Sequence, residues 1–278
     1  MTQYKAPLDY DIIDIHTHFF PGEWFAAVWE FFETRGWRIN YKSDPATLAA
    51  TLRGFGVSHF TILNYLHKPG ARDALAEFTR AFAASQRGAL PFGTLYPGES
   101  GNLEAARRWF DEWGFAGLKM QPLVTRFPID DPALYPVFEL MQERCRHLLI
   151  HAGTAPYPNE FTSLDPLEHL LADFPNMPVI LAHMGAYDIP RALGMLDRFP
   201  QLSLDTAMVF THTDVFDTSM KLDPARLLPY RHRILFGSDF PNIPYAYSEA
   251  VESILRLNLG DEFNRLVFRD NALKLVIE

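Results

Sequence analysis

The stretch "DIIDIHTHFF", residues 11–20, runs from isoleucines into a pair of histidines and decides how the chain is interpreted. Isoleucine is enriched in β-strands, where successive side chains point to opposite faces of the sheet. His16 and His18 therefore share one face of the predicted strand, and Thr17 points to the other. Two polar rings at the end of an apolar strand predict a functional site at that end.

Seven further apolar runs follow along the chain, separated by segments in which apolar residues recur at helical spacing. The runs are "VSHFTILN", "LPFGTLYP", "FAGLKMQP", "HLLIHAG", "PVILAHMG", "LSLDTAM" and "RILFGSDFP". Strands of continuous apolar character that alternate with helices indicate a parallel sheet, and eight such units predict a (β/α)8 TIM barrel. An open doubly wound sheet is the alternative, but no GxGxxG follows a strand. No linker divides the chain, so residues 1–278 are predicted to form one α/β domain.

Cap residues locate some of the predicted helices. Asp131 precedes Pro132 and Asp165 precedes Pro166, which predicts that each proline occupies the first helical position. Residues 21–56 and 207–232 are less regular and are predicted to be long connections.

Composition excludes several classes of function. The formal charge of −9 argues against a nucleic-acid surface, which needs clustered Lys and Arg. The start of the chain lacks an apolar signal segment, and no run approaches the roughly 18 apolar residues of a membrane span. With Cys145 as the one cysteine, no intrachain disulfide can form, which favours a reducing environment. We expect a cytoplasmic protein that acts on a small molecule.

A barrel places its chemistry at the C-terminal ends of the strands and in the loops that follow. Side chains that can bind metals or act as acids and bases stand there on five of the eight predicted strands: His16, His18, Lys119, His151, His183 and Asp239. One histidine at a strand end is more often structural than functional. Imidazole nitrogens and a carboxylate that recur in this order suit zinc or a similar divalent ion, with a position left open for water.

Five motifs carry a family resemblance: "DIHTH", "LIHAG", "LAHMG", "FGSDFP" and "DNALKLV". They resemble the amidohydrolase superfamily, in particular its branch of small TIM-barrel metal-dependent hydrolases and aminocarboxymuconate-semialdehyde decarboxylase-like enzymes. The resemblance spans nearly the whole chain. It implies that His16, His18, His151 and Asp239 bind the metal, and that His183 stands beside it and acts on the substrate or on water.

The primary prediction for function is a metal-dependent hydrolase of an ester, lactone or amide-like bond. A divalent ion lowers the pKa of its bound water from about 15.7 toward about 7, and Asp239 would act as general base and then general acid. The alternative is a metal-dependent decarboxylase of an aromatic or unsaturated carboxylate, in which no water attacks. A third hypothesis is a barrel that binds a ligand without catalysis.

Aromatic residues in the loops after the strands predict a pocket for a ring or another apolar body. Arg126 is a candidate partner for a substrate carboxylate, and Asp14 is a candidate support for the histidines. Packing, or the interface of a homo-oligomer, is the other use for so many aromatic rings. The loop residues are Phe19, Phe20, Trp24, Tyr96, Phe127, Tyr157, Tyr187, Phe210 and Tyr245.

Lys119 bears on the number of metal ions. Two-metal members of the superfamily carry a carboxylated lysine at the end of strand four, and His151 and His183 would then hold a second ion. An unmodified ammonium would repel that ion and would instead bind a substrate carboxylate or pair with an acid. Through the motifs "LAHMG" and "GSDFP" the chain resembles the small single-metal branch, and this resemblance favours one zinc ion with His151 as its third histidine ligand.

Overall fold

Eight parallel strands follow one another in chain order in the computed structural model, which describes residues 7–155, 159–213 and 222–277. They are β1 (Ile12–Asp14), β2 (Val57–Ile62), β3 (Ala89–Gly93), β4 (Gly117–Met120), β5 (His147–Ile150), β6 (Val179–Leu181), β7 (Leu202–Asp205) and β8 (Ile234–Leu235). Each predicted apolar run overlaps one of these strands, so their number and order agree with the sequence prediction.

Helices occupy most of the segments between the strands. They are α1 (Gly22–Arg35), α2 (Pro45–Gly54), α3 (Arg72–Ser85), α4 (Asn102–Asp111), α5 (Pro122–Thr125), α6 (Tyr135–Glu143), α7 (Leu164–Asp173), α8 (Ile189–Arg198), α9 (Tyr247–Leu255) and α10 (Asp261–Arg265). Shorter 3₁₀ turns precede α6 and follow β6, and π-helical turns continue α10 toward the C-terminus. Within the described residues, no helix is long and apolar enough to cross a membrane.

The described chain forms two compact units. The first unit comprises Met1–Ile62, Phe82–Ala89 and Thr206–Glu278, and the second comprises Leu63–Ala81 and Leu90–Asp205. In the first unit β1 pairs with β2, and the backbone N–H of Ile15 donates to the carbonyl oxygen of Phe236 just after β8, at 3.0 Å. These hydrogen bonds bring the ends of β1 and β8 side by side within that unit.

In the second unit, β4 to β7 are joined in an unbroken parallel ladder. Lys119 lies opposite Leu149, Leu149 opposite Ile180, and Ile180 opposite Ser203. Helix α8 is typical of the surrounding helices, because its buried residues recur at helical spacing along one side. Those residues are Ile189, Ala192, Leu193, Met195 and Leu196.

Two sequence predictions about local structure were wrong. The segment 21–56 is not a long connection, since it contains α1 and α2. Helix α2 carries the signal that was overlooked: the side chain of Asp44 accepts from the backbone N–H of Thr47 at 3.0 Å, and Pro45 follows at the first helical position. The segment 207–232 was also misjudged in its later part, because a 3₁₀ helix begins at Pro224. Residues 214–221 of that segment lie outside the described residues.

The start of α7 differs from the prediction by two residues. The capping side chain is Ser163, whose hydroxyl accepts from the backbone N–H of Asp165 at 3.2 Å. Pro166 therefore occupies the third helical position rather than the first. At Asp131 the prediction was right, because its carboxylate accepts from the backbone N–H of Ala133 and Pro132 begins the helical turn.

Candidate metal centre

His16, His18 and Asp239 form a buried cluster in the first unit. The two imidazole rings follow β1 with their centroids 5.2 Å apart. Atom Oδ1 of Asp239 lies 2.7 Å from Nε2 of His18 and 3.5 Å from Nε2 of His16. Thr17, between the histidines, instead donates its hydroxyl to the carbonyl of Thr61 on β2. The alternation of an extended chain thus directs both rings to the same carboxylate.

The donor set of this cluster suits a divalent metal ion. His16 and His18 are 1% and 3% exposed, so their rings are shielded from water. One ligand atom from each of the three side chains lies within 4.8 Å of the others. Nitrogen and oxygen ligands around a tetrahedral zinc ion stand about 3.3 Å apart, so only a small adjustment would be needed to surround an ion.

Asp239 reaches the histidines through an unusual backbone conformation. Its φ is +68°, in the left-handed region that residues other than glycine seldom adopt. The backbone N–H of Asp239 donates to the carbonyl oxygen of His16 at 2.8 Å, and that of His18 donates to the carbonyl oxygen of Phe240 at 2.7 Å. These two hydrogen bonds attach the segment that carries Asp239 to the strand segment that carries the histidines.

Asp14 lies behind the cluster and accepts four hydrogen bonds. Its Oδ1 accepts from the backbone N–H groups of His16 and Ser238, both at 3.1 Å. Its Oδ2 accepts from the hydroxyls of Ser238 at 2.6 Å and Tyr247 at 2.9 Å. Complete burial raises the pKa of Asp14 to about 7, although these four donors favour the carboxylate and oppose the shift. The position of Asp14 two residues before His16 indicated such a support, but no pattern in the sequence indicated Ser238 or Tyr247.

In the second unit, Lys119 is fully buried on β4. Because Lys119 pairs with Leu149 and side chains alternate, His151, two residues beyond Leu149, belongs to the same face of the sheet. The same reasoning, applied from Ile180 to Ser203, places Asp205 on that face at the end of β7. Asp205 was missed in sequence analysis, although "LSLD" ends in a carboxylate where other strands end in histidine.

His151 and His183 lie against each other in the second unit, with ring centroids 4.9 Å apart and planes inclined at 68°. Atom Nε2 of His151 is 3.1 Å from the carbonyl oxygen of Ala155, so Nε2 carries the proton and Nδ1 carries the lone pair that a metal ligand needs. His183 has a left-handed backbone with φ +53°. Its backbone N–H donates to Oδ1 of Asp205 at 2.9 Å.

The loops that carry these two histidines are joined through their backbones. The N–H of Ala155 donates to the carbonyl oxygen of Ala186 at 2.7 Å. The hydroxyl and the N–H of Thr154 both donate to Oδ2 of Asp188, at 2.9 and 3.1 Å. Gly153 has φ +113°, and a Cβ atom there would lie 2.5 Å from the carbonyl carbon of Gly185. The loops approach this closely only because residue 153 has no side chain.

The residues predicted to contact a substrate differ in how exposed they are. Arg126 is exposed just after α5, and Trp24 is half-buried in the first turn of α1. Phe19 does not belong to a loop pocket, since its ring is fully buried 5.0 Å from that of Phe60 and 5.1 Å from that of Phe82. Tyr157 lies outside the described residues.

Comparison with known proteins gives a family and a fold. The sequence profile of the amidohydrolase family matches residues 13–276. A 6-methylsalicylic acid decarboxylase from Penicillium expansum is 33% identical over 134 residues, which cover 43% of this chain and 41% of that protein. The matched segment is thus less than half the length of that relative.

Solved structures of similar fold cover nearly the whole chain. An uncharacterized TIM-barrel protein from Bordetella bronchiseptica has a TM-score of 0.69 at 17% identity, with 95% of this chain and 98% of that one covered. A 5-carboxyvanillate decarboxylase from Sphingomonas paucimobilis has a TM-score of 0.66 at 17% identity, with 96% of this chain and 99% of that one covered. A second 5-carboxyvanillate decarboxylase, from Novosphingobium aromaticivorans and in complex with manganese, has a TM-score of 0.61 at 15% identity, with 99% of each chain covered. These likenesses confirm the predicted TIM-barrel fold.

Proposed function

Because this chain belongs to the amidohydrolase family, we propose that it is a metal-dependent decarboxylase of an aromatic acid with a hydroxyl group beside its carboxylate. The observation that carries this proposal is the 33% identity to 6-methylsalicylic acid decarboxylase. The decarboxylase was the alternative predicted from the sequence. The identity to this relative favours it over the hydrolase. A structural neighbour that is also a decarboxylase of a hydroxylated aromatic acid supports the same choice.

The proposed ligands of a divalent ion are His16, His18, His151 and Asp239. The cluster of His16, His18 and Asp239 supports the first part of this set, and the tautomer of His151 supports the remainder. A bound divalent ion would neutralise charge on the substrate oxygens and draw electron density from them. We propose one ion per chain, with zinc as the metal and manganese as the competitor to test, because a related decarboxylase binds manganese.

The reaction requires one proton and releases one molecule of carbon dioxide. A proton is added to the ring carbon that bears the carboxylate, the bond between these carbons breaks, and its electron pair restores the aromatic ring. Asp239 would supply this proton from Oδ2, because Oδ1 is the oxygen that lies 2.7 Å from Nε2 of His18, on the side of the proposed ion. The acid is regenerated by a proton from solvent.

His183 would orient the substrate carboxylate through its ring. The hydrogen bond to Asp205 supports this role, because it holds His183 in its left-handed conformation and so limits how the ring can move. Lys119 is proposed to supply a positive charge for a substrate carboxylate, because it lies on the same face of the sheet as His151. Arg126 and Trp24 are proposed to contact more distant parts of the substrate.

The proposal is tested by assaying the same protein preparation for both reactions. Metal is removed with a chelator, zinc or manganese is restored, and the protein is incubated with 6-methylsalicylate, other 2-hydroxybenzoates, aryl esters and lactones. We expect carbon dioxide and 3-methylphenol from 6-methylsalicylate, in equal amounts, only after metal is restored. Hydrolysis of an ester or lactone without release of carbon dioxide from any acid would instead establish the hydrolase.

The number of ions is tested by metal analysis of protein expressed with excess zinc and bicarbonate. The content should plateau near one ion per chain, and electron density at Lys119 should end at the amine. Two ions about 3.5 Å apart, bridged by a carboxylated lysine, would replace the single-ion proposal with a two-metal site.

A further inference from the structure

We infer that Ser238 is a positioning residue of the metal site, whose hydroxyl holds Asp239 in register with His16 and His18. This inference rests on the proposed ligand set. Ser238 is fully buried and immediately precedes Asp239 in the loop after β8. Its hydroxyl hydrogen-bonds to Asp14 and to the backbone of Phe240, so its effect on a bound ion would be transmitted through the ligands.

The hydroxyl of Ser238 connects the carboxylate of Asp14 to the backbone that follows Asp239. Its Oγ donates to Oδ2 of Asp14 at 2.6 Å and accepts from the backbone N–H of Phe240 at 3.0 Å. The backbone N–H of Ser238 also donates to Oδ1 of Asp14. The residues before and after Asp239 are therefore tied to the same buried carboxylate, the first directly and the second through the Ser238 hydroxyl.

The same carboxylate fixes the other side of the cluster. Asp14 accepts from the backbone N–H of His16, and the backbone N–H of Asp239 donates to the carbonyl oxygen of His16. A closed ring thus runs from Asp14 to Ser238, along the chain to Asp239, then to His16 and back to Asp14. Three of its links are hydrogen bonds, and the link between Ser238 and Asp239 is the peptide bond. Asp239 needs such a restraint, because its left-handed backbone is unfavourable for a residue with a side chain.

Tyr247 offers a matched comparison within the same network. Its hydroxyl donates to the same Oδ2 atom of Asp14, but no peptide group next to Asp239 depends on it. Removal of this hydroxyl leaves Asp14 with three donors, among them both contacts to Ser238. The fully buried ring packs against Phe55, Phe236 and Phe240, and phenylalanine at position 247 would preserve that packing.

The test compares Ser238→Ala with Tyr247→Phe in the full chain. Zinc affinity is measured by titration against a competing chelator, and folding is measured by thermal unfolding of the metal-free proteins. We expect Ser238→Ala to weaken zinc binding by at least about tenfold, the range seen when groups that orient metal ligands are removed. Tyr247→Phe should keep its zinc affinity within about twofold of the wild type, although both variants unfold at a lower temperature.

Ser238→Thr serves as the rescue variant, because it keeps a hydroxyl at the same position, and it should bind zinc more tightly than Ser238→Ala. Equal zinc affinity in Ser238→Ala and the wild type would overturn the inference. So would equal losses of affinity in Ser238→Ala and Tyr247→Phe, since the effect would then follow stability alone. If Ser238→Ala does not fold, Ser238→Thr decides, and a loss of tenfold or more despite its hydroxyl would contradict the inference.

The outcomes separate this inference from the proposed function. A wild-type protein that binds zinc but decarboxylates no aromatic acid would refute the proposed function, while the affinity comparison would still decide the role of Ser238. A wild-type protein that binds no divalent ion would refute the ligand set and the role of Ser238 together.

Discussion

The two histidine pairs are held in different ways. In the first unit, His16 and His18 extend from a strand, where alternation alone directs both rings to one side, and two carboxylates fix their surroundings. In the second unit, His151 and His183 follow the ends of their strands. A loop carbonyl contacts the ring of His151, and the backbone N–H of His183 donates to the carboxylate of Asp205. The pair on a strand is directed by alternation, whereas the pair on loops depends also on the backbone conformation of those loops.

This contrast predicts which substitutions affect each pair. The first pair should be most sensitive to loss of a carboxylate, since Asp239 and Asp14 are both buried and make hydrogen bonds. The second pair should be most sensitive to a residue that forces the loops apart, because Gly153 and Gly185 approach without room for a side chain.

The largest effect is expected for Asp239→Ala in the first unit. This variant removes a proposed metal ligand together with the proposed proton donor, so turnover should fall by roughly 10³-fold or more and bound metal should decrease. His16→Ala should likewise lose metal and turnover. Steady-state assays and metal analysis measure both quantities.

Asp44→Ala is the matched control for Asp239→Ala, because it removes another carboxylate of the first unit. Asp44 is an exposed cap of α2, and its loss should lower the unfolding free energy slightly without releasing metal. A His16→Ala protein with full activity and a full complement of metal would show that the ligand assignment is wrong.

In the second unit, His183→Asn should lower turnover by roughly 10²-fold or more and retain the metal, since His183 is proposed to act on the substrate. His169→Asn is the control, because the side chain of His169 is 69% exposed and pairs with Asp130 at the surface of the same unit. Kinetics and metal content of the two variants are compared side by side. Loss of metal from His183→Asn would move His183 into the ligand set.

Gly153→Ala tests whether the loop backbone holds the second pair. A methyl group would overlap the carbonyl group of Gly185, and a φ of +113° disfavours alanine, so the unfolding free energy should fall by roughly 2 kcal/mol. Turnover should fall less than in His183→Asn, because both histidines remain. Urea unfolding and kinetics measure the two effects.

Gly194→Ala is the control for Gly153→Ala within the same unit. Gly194 lies inside α8 with nothing within 4 Å of an added Cβ, so alanine should raise the unfolding free energy by up to about 1 kcal/mol. If Gly153→Ala is as stable as the wild type, the close approach of the two loops does not hold the second pair.

The sequence predicts the strands of this fold well, and the reason is physical. Strands buried on both faces appear as continuous apolar runs, and all eight were recognised. Helix α1 was missed because only Phe25 and Val28 of its fourteen residues are buried, so its apolar pattern is weak. The start of α7 was misplaced because the Asp–Pro pattern competed with a nearer cap, Ser163.

The residues of the candidate site also differ in how well the sequence predicts them. Residues on strands follow from alternation, as the shared direction of His16 and His18 illustrates. The support from Ser238 and Tyr247 to Asp14 joins positions 224 and 233 residues apart, and no local pattern signals such a contact. The left-handed backbones of His183 and Asp239 are set by tertiary hydrogen bonds, which the spacing of residues does not reveal.

The most direct test of the central claim is the fate of 6-methylsalicylate labelled with carbon-13 in its carboxyl group, incubated in heavy water with the metal-loaded protein. We expect labelled carbon dioxide and an equal amount of 3-methylphenol, with one deuterium on the ring carbon between the hydroxyl and methyl groups. The Asp239→Ala protein should produce neither. If the labelled carboxylate stays on the ring while the same preparation hydrolyses a lactone or ester, the chain is a hydrolase and the decarboxylase proposal is wrong.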